Sequence, residues 1–417
     1  MLSGCAENKL PAEETAVSDT QISSVSVPAV TDINIPVHDI DPLAEEKGAA
    51  GLPYFISSQC EEISFYPSED AVKRMGRFIE YNDTLYLSYT CSAISFSMTG
   101  DRAEAVITSN GSVYADNQQA WIAVLLNGEL INRIKLEAGD NSYVLYEGEE
   151  LENAEISVVK LTENQMATVG IKSITANASR IAPRPPKDKK IEFIGDSITC
   201  GYGNEADDPS DGYDSAQQNG LKTYGYYTAQ ILDADYSFVS ISGLGLISDY
   251  TDYVGVKEDY LLMPEVYDYS DTNFQMRRGI TELTPWDFGT GSDIVVINMG
   301  TNDYSYTGKR EELQDEFEEA YYEFLGDVRE HNPNADIVCT MGIMGAQLLE
   351  RIENAAARFS KDYNDNRIYT MKFDYQDEAD GYGGDYHPSA ATHKKAAQQL
   401  AEFLINIEKA RDDEVTH

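Results

Sequence analysis

Positive charge is scarce in this chain of 417 residues: 31 Lys and Arg face 72 Asp and Glu, for a formal charge of −41. Such a polyanion is repelled by phosphate backbones and anionic headgroups, which excludes nucleic acid as a partner and disfavours a polyanionic substrate. A neutral substrate fits, and a neutral glycan is one such class. Long apolar runs are also missing; no stretch reaches the roughly 20 residues that a spanning helix needs. Cysteine is sparse and scattered, at Cys5, Cys60, Cys91, Cys200 and Cys339. With no CxxC pair and no His at ligand spacing, a zinc site and a dense disulfide framework are excluded. A single Cys60–Cys91 bridge stays open. No metal or organic cofactor is expected. Tyrosine, in contrast, is abundant at 28 residues. Its rings stack on sugars, but more often they fill β-sheet cores.

The length suggests two domains plus tails, at roughly 100–200 residues per domain. Leu2-Ser3-Gly4-Cys5 resembles a bacterial lipobox. It predicts a trimmed precursor whose Cys5 carries lipid, placing the protein outside the cell, on the bacterial surface, with that anchor as its only membrane contact. Residues 1–51 then comprise the lipobox and a Glu-, Ser-, Thr- and Pro-rich flexible tether. Residues 52–182 alternate as short strands, among them Thr84–Thr90, Ala93–Met98, Ala103–Thr108, Ala120–Leu126 and Glu155–Lys160. Turn signals at Thr99-Gly100-Asp101 and Asn127-Gly128 separate them, and the pattern predicts a β-sandwich. The Pro-rich stretch 183–190 reads as a linker. From 191 to 417 strands alternate with helices: strands at 191–194, 236–241, 293–298, 335–342 and 367–373, helices at 222–233, 311–331, 348–363 and 389–410. That grammar predicts an α/β fold with a parallel sheet, whose ligands bind at the carboxyl ends of the strands.

Chemistry is therefore sought just after each strand. Gly195-Asp196-Ser197 follows the first, Ser242-Gly243 the second, and Gly300-Thr301-Asn302-Asp303 the third. A serine on a strand-to-helix turn is a candidate nucleophile, and Gly and Asn amides are suitable oxyanion donors. A base is also needed, and there are five histidines. His38 lies in the tether, His417 is terminal, His331 ends an exposed helix, and His393 reads as solvated beside Lys394-Lys395. Elimination leaves His387, in the loop Gly384-Asp385-Tyr386-His387-Pro388.

These four blocks, in this order, resemble the SGNH (GDSL-type) hydrolases. The resemblance implies a flavodoxin-like three-layer domain in which Ser197 attacks an ester, while the Ser197 amide, the Gly243 amide and Asn302 hold the oxyanion. The likeness is closer still to carbohydrate esterase family 2, on Gly195 to Glu205, Met263-Pro264-Glu265 and Trp286-Asp287-Phe288. That family implies an N-terminal jelly-roll sandwich and deacetylation of plant polysaccharides such as acetyl xylan or glucomannan. Tyr386 and Trp286 are the candidate sugar contacts, an acetylated poly- or oligosaccharide the expected partner, and a monomer the expected state. In one respect the sequence departs from the superfamily. Gly384 stands three residues before His387, where most such enzymes carry the orienting Asp. Either Asp385 orients the imidazole or a backbone carbonyl does, as in relatives that dispense with the acid; the reading favours Asp385. Two alternatives remain: a GDSL-type lipase or lysophospholipase, and a non-catalytic glycan-binding protein. The Asp- and Tyr-rich segment 246–290 suits sugars better than acyl chains.

Overall fold

The computed structural model describes residues 53–415, with side chains to Arg411, all within one compact unit. Cys5 and the tether lie outside the described residues.

The N-terminal half is antiparallel, with nine strands among the described residues, and three long ones carry it: Ala93–Ser109, Gly139–Lys160 and Val169–Pro183. Ala93–Ser109 lies between the other two, and shorter strands attach around them. Thr99-Gly100-Asp101, expected as a turn, is instead a bulge within one continuous strand, with register shifts on both sides of Gly100. The backbones nearly touch there: a Cβ on Gly100 would stand 2.3 Å from the Asn177 carbonyl oxygen. Asn127-Gly128 does turn the chain, with φ of 51° and 81°, as a two-residue type I′ hairpin requires. Cys60 and Cys91 are both free thiols, so the bridge left open above does not form.

The C-terminal half holds five parallel strands: β1 (Lys190–Gly195), β2 (Asp235–Ser240), β3 (Ile294–Asn298), β4 (Asp336–Ile343) and β5 (Ile368–Tyr375). Their order is β2-β1-β3-β4-β5, the flavodoxin-like arrangement. Every residue of β3 and β4 is buried, as helices on both faces of a parallel sheet impose. Helices Tyr224–Ile231 and Ala390–Val415 pack together, as do Glu311–His331 and Leu349–Tyr363. The chain leaves β1 toward β2 on one side and β3 on the other, so the loops after β1, β2 and β3 frame a crevice at the carboxyl edge.

The halves share a core. Ile94, Phe96, Ile122, Val124, Ile156 and Val158 point into the sandwich interior. Their strand neighbours Ala93, Ala123, Leu125 and Val159 belong to a second cluster that continues through Phe193, Phe238 and Phe324. Side chains alternate along a strand, so the same strands feed both cores. A polar tie reinforces the join. Arg77, fully buried, donates to the carbonyls of Tyr267 and Tyr269 and pairs with the buried Glu192 at 3.4 Å.

Candidate active site

Strand β1 ends at Gly195, and the chain turns directly into the single-turn helix Ser197–Cys200. Asp196 caps that helix: its carboxylate accepts the Ile198 N–H at 3.0 Å. Ser197 lies in a recess, only 8% exposed. Its Oγ is 3.0 Å from His387 Nε2. On the other side of the ring, the Nδ1–H donates to the Gly384 carbonyl at 3.1 Å. That bond fixes the tautomer and leaves the Nε2 lone pair facing the serine hydroxyl. The Tyr202 ring stacks on the imidazole, with centroids 4.3 Å apart. Burial drives the His387 pKa down to about 4, against the opposing pull of the Gly384 carbonyl and the Asp385 charge. The imidazole is therefore neutral, and able to accept a proton, throughout the neutral range.

Asp385, favoured on sequence grounds as the orienting acid, does not hold the imidazole. Its carboxylate instead accepts the Tyr202 hydroxyl at 2.6 Å. The cause is local backbone geometry. Asp385 and Tyr386 both adopt left-handed φ, at 49° and 57°, which turns the Asp385 side chain toward Tyr202. Gly384 meanwhile abuts Gly203: its N–H donates to the Gly203 carbonyl at 2.9 Å, and a Cβ on Gly203 would stand 2.9 Å from that nitrogen. The place of the superfamily's Asp is thus filled by a close backbone contact, and the Gly384 carbonyl meets the imidazole.

The three candidate oxyanion donors come from three loops. Gly243, just after β2, has φ of +88° and an amide that donates to no protein acceptor among the described residues. The Ser197 amide opens the adjacent helix. Asn302 enters from the helix after β3, beside Asp196. Its Nδ2 donates to the Leu244 carbonyl at 2.8 Å and to the Asp196 carboxylate at 3.3 Å. Both amide hydrogens are therefore engaged, and Asn302 reaches an oxyanion only by releasing the longer bond. Asp303 shapes the same loop, its Oδ1 accepting the Leu246 and Ile247 amides at 2.8 Å each. Burial raises the carboxyls of Asp196 to about 7 and Asp303 to about 6.

The remaining candidates fall in different places. Tyr386 is 55% exposed on the rim beside His387. Trp286 is not at the site. It packs against Phe78 and Arg77, in the segment that leads into the start of β3, at the opposite edge of the sheet from Ser197. Its motif likeness carried no information about which edge it serves. His393 is not solvated either: it is fully buried, stacked on Tyr224, with Nδ1 accepting the Tyr224 N–H at 3.1 Å. Its neighbours one and two turns on, Ala396, Ala397 and Leu400, are all buried, a periodicity that marks the inner face. His331 is half-buried, paired with Asp268 at 2.9 Å and stacked on Phe288.

Two contributors escape a reading of the sequence. Tyr202 holds both the base and Asp385; its one signal is its place within the nucleophile block. Glu163, in the sandwich loop between Lys160 and Val169, is fully buried, and its carboxylate accepts the Ser242 N–H and Oγ–H at 2.8 Å each. Polar residues after a strand read as ordinary loop, so nothing in the sequence singles it out.

Residues 191–400 match the family described as GDSL-like lipase/acylhydrolase, and residues 74–185 match the carbohydrate esterase 2 N-terminal domain. The cellulase/esterase CelE of Acetivibrio thermocellus is 28% identical over 324 residues, which cover 76% of this chain. The chain spans only 37% of that relative's length. An acetylxylan esterase/glucomannan deacetylase of Cellvibrio japonicus is 26% identical, over 82% of this chain and 90% of that protein. Among solved structures, a family two carbohydrate esterase from Clostridium thermocellum superposes with a TM-score of 0.69 at 28% identity, covering 81% of this chain and 99% of its own. An acetyl xylan esterase from Butyrivibrio proteoclasticus shares the fold with a TM-score of 0.74 at 22% identity, covering 84% and 99%. With half its length in the hydrolase match, the chain belongs to the GDSL-like lipase/acylhydrolase family, and it carries a match to the carbohydrate esterase 2 N-terminal domain in front.

Proposed function

We propose that the protein is a serine esterase that removes O-acetyl groups from plant cell-wall polysaccharide, such as acetyl xylan or glucomannan, through an acyl-enzyme. The observation that carries this reading is the Ser197 Oγ to His387 Nε2 contact of 3.0 Å, with Nδ1 held by the Gly384 carbonyl. Ser197 attacks the acetyl carbonyl as its proton passes to His387. The oxyanion forms against the amides of Ser197 and Gly243, with Asn302 joining as its bond to Asp196 gives way. The imidazolium, steadied by the Gly384 carbonyl and the nearby Asp385 charge, returns the proton to the departing sugar oxygen. Water, deprotonated by the same histidine, then hydrolyses acetyl-Ser197 and releases acetate.

Two things support a glycan substrate. The relatives are named for acetylxylan and glucomannan. The exposed Tyr386 beside the base offers a ring on which a sugar can stack. Acetate release from acetylated xylan and acetylated glucomannan tests the reading. Release from either, abolished by Ser197→Ala, supports it. Faster turnover of a nitrophenyl octanoate than of the acetate points instead to a lipase.

An extracellular location with a lipid anchor completes the proposal. Its support is the Leu2-Ser3-Gly4-Cys5 motif. Incorporation of labelled fatty acid that is lost in Cys5→Ser supports the anchor; labelling that persists in that variant refutes it.

A further inference from the structure

The loop between Lys160 and Val169 carries the N-terminal sandwich to the turn at Ser242 and Gly243. Two of its side chains grip a single residue. Glu163 accepts the Ser242 N–H and Oγ–H, each at 2.8 Å. Gln165 donates its Nε2–H to the Ser242 carbonyl at 2.6 Å. That carbonyl and the Gly243 N–H belong to the same peptide plane and point in opposite directions. Holding the oxygen therefore sets the direction of the hydrogen. The plane needs holding. Gly243 has φ of +88° and carries no Cβ to restrict its own torsions, so the plane depends on its hydrogen bonds. A flip would aim a carbonyl oxygen, not an N–H, at the developing charge.

We propose that Glu163 and Gln165 are positioning residues of the esterase, holding the Ser242–Gly243 peptide so that the Gly243 amide faces the oxyanion. The inference rests on the reading of Ser197 as nucleophile. It makes the sandwich a working part of the active site. The surroundings of Glu163 agree with an ionised acceptor. Burial raises its carboxyl above the ordinary range, against the opposing pull of the two Ser242 donors, the Cys200 thiol and the charge of Lys160. A buried carboxylate without such donors would be costly.

The test uses the whole chain, with 4-nitrophenyl acetate as substrate and thermal melting in parallel. Loss of a whole oxyanion donor costs about 10²–10³ in turnover, so a mis-aimed one in Gln165→Ala should cost about 10–100-fold in kcat. KM should stay within about twofold, because the interaction is made in the transition state only. Glu163→Ala should lose at least as much. Glu163→Gln, which still accepts the Ser242 N–H, should recover most of that loss. Wild-type kcat in Gln165→Ala, or a loss confined to KM, overturns the proposal. Should Glu163→Ala fail to fold, Gln165→Ala decides alone, since its side chain is only partly buried. Ser197→Ala runs beside them. If it stays active, the reading of the site fails and takes the clamp with it. If it is dead while Gln165→Ala keeps wild-type kcat, the clamp alone fails.

Discussion

The strand Ala93–Ser109 and the strands β3 and β4 bury their residues differently along their lengths. Its first six residues are all buried, and most of the remainder alternate between buried and partly exposed. β3 and β4 are buried throughout. So the opening stretch of an antiparallel strand looks like a strand of the parallel sheet, and for the same reason: both of its faces are covered. One faces the sandwich core, through Ile94, Phe96 and Met98. The other, through Ala93, faces the core shared with the hydrolase half. Further along, only one face is covered and the period-two pattern returns. The lesson is that the sandwich is built into the hydrolase half over a shared core, with the irregular stretch 184–189 connecting the two.

The sharpest contrast between the halves is chemical. Ser197→Ala should abolish acetate release, by about 10⁴-fold or more, with an unchanged melting temperature; substantial residual hydrolysis would move the chemistry elsewhere. The next effect concerns the join. Arg77→Ala leaves Glu192 buried without its partner and should cost roughly 3–5 kcal/mol. Urea unfolding of the wild type should show one cooperative transition. Two transitions, or an Arg77→Ala loss confined to one of them, would break the shared-core picture. Smaller again is Asp385→Ala. In a true triad, disabling the acid costs about 10⁴-fold. With the Gly384 carbonyl orienting His387, kcat should fall by less than about tenfold. The smallest effect is a shift in pH dependence. The reaction needs neutral His387, whose pKa burial lowers to about 4. Activity should therefore hold as the pH falls below the ordinary histidine range and decline only as it passes through about 4. The Asp385 charge raises that pKa, so Asp385→Asn should move the decline to still lower pH.

Much of this was open to a reader of the sequence, for a definite reason. In a parallel α/β sheet ligands bind where strands end, so position singles out Ser197, Gly243 and Asn302 as candidates, elimination singles out His387, and the structure brings Ser197 and His387 into contact. What was hidden depends on backbone dihedrals or on long-range contacts. Whether Asp385 or the Gly384 carbonyl meets Nδ1 is decided by left-handed φ values at Asp385 and Tyr386. Glu163 lies 79 residues from Ser242 along the chain, and only the docking of the halves brings them together. Trp286 misled because a motif gives likeness without saying which edge of the sheet it serves. His393 misled because Lys394 and Lys395 drew attention from the buried stripe on the other side of the helix.

The most direct measurement is mass spectrometry of the intermediate. Wild-type protein is mixed with acetylated xylo-oligosaccharide and quenched in acid during turnover, then digested. The account predicts one acetyl group on the peptide containing Ser197, retained in Asp385→Ala and absent in His387→Ala. An acetyl group on another residue, or acetate release with no acylated peptide at all, would contradict it.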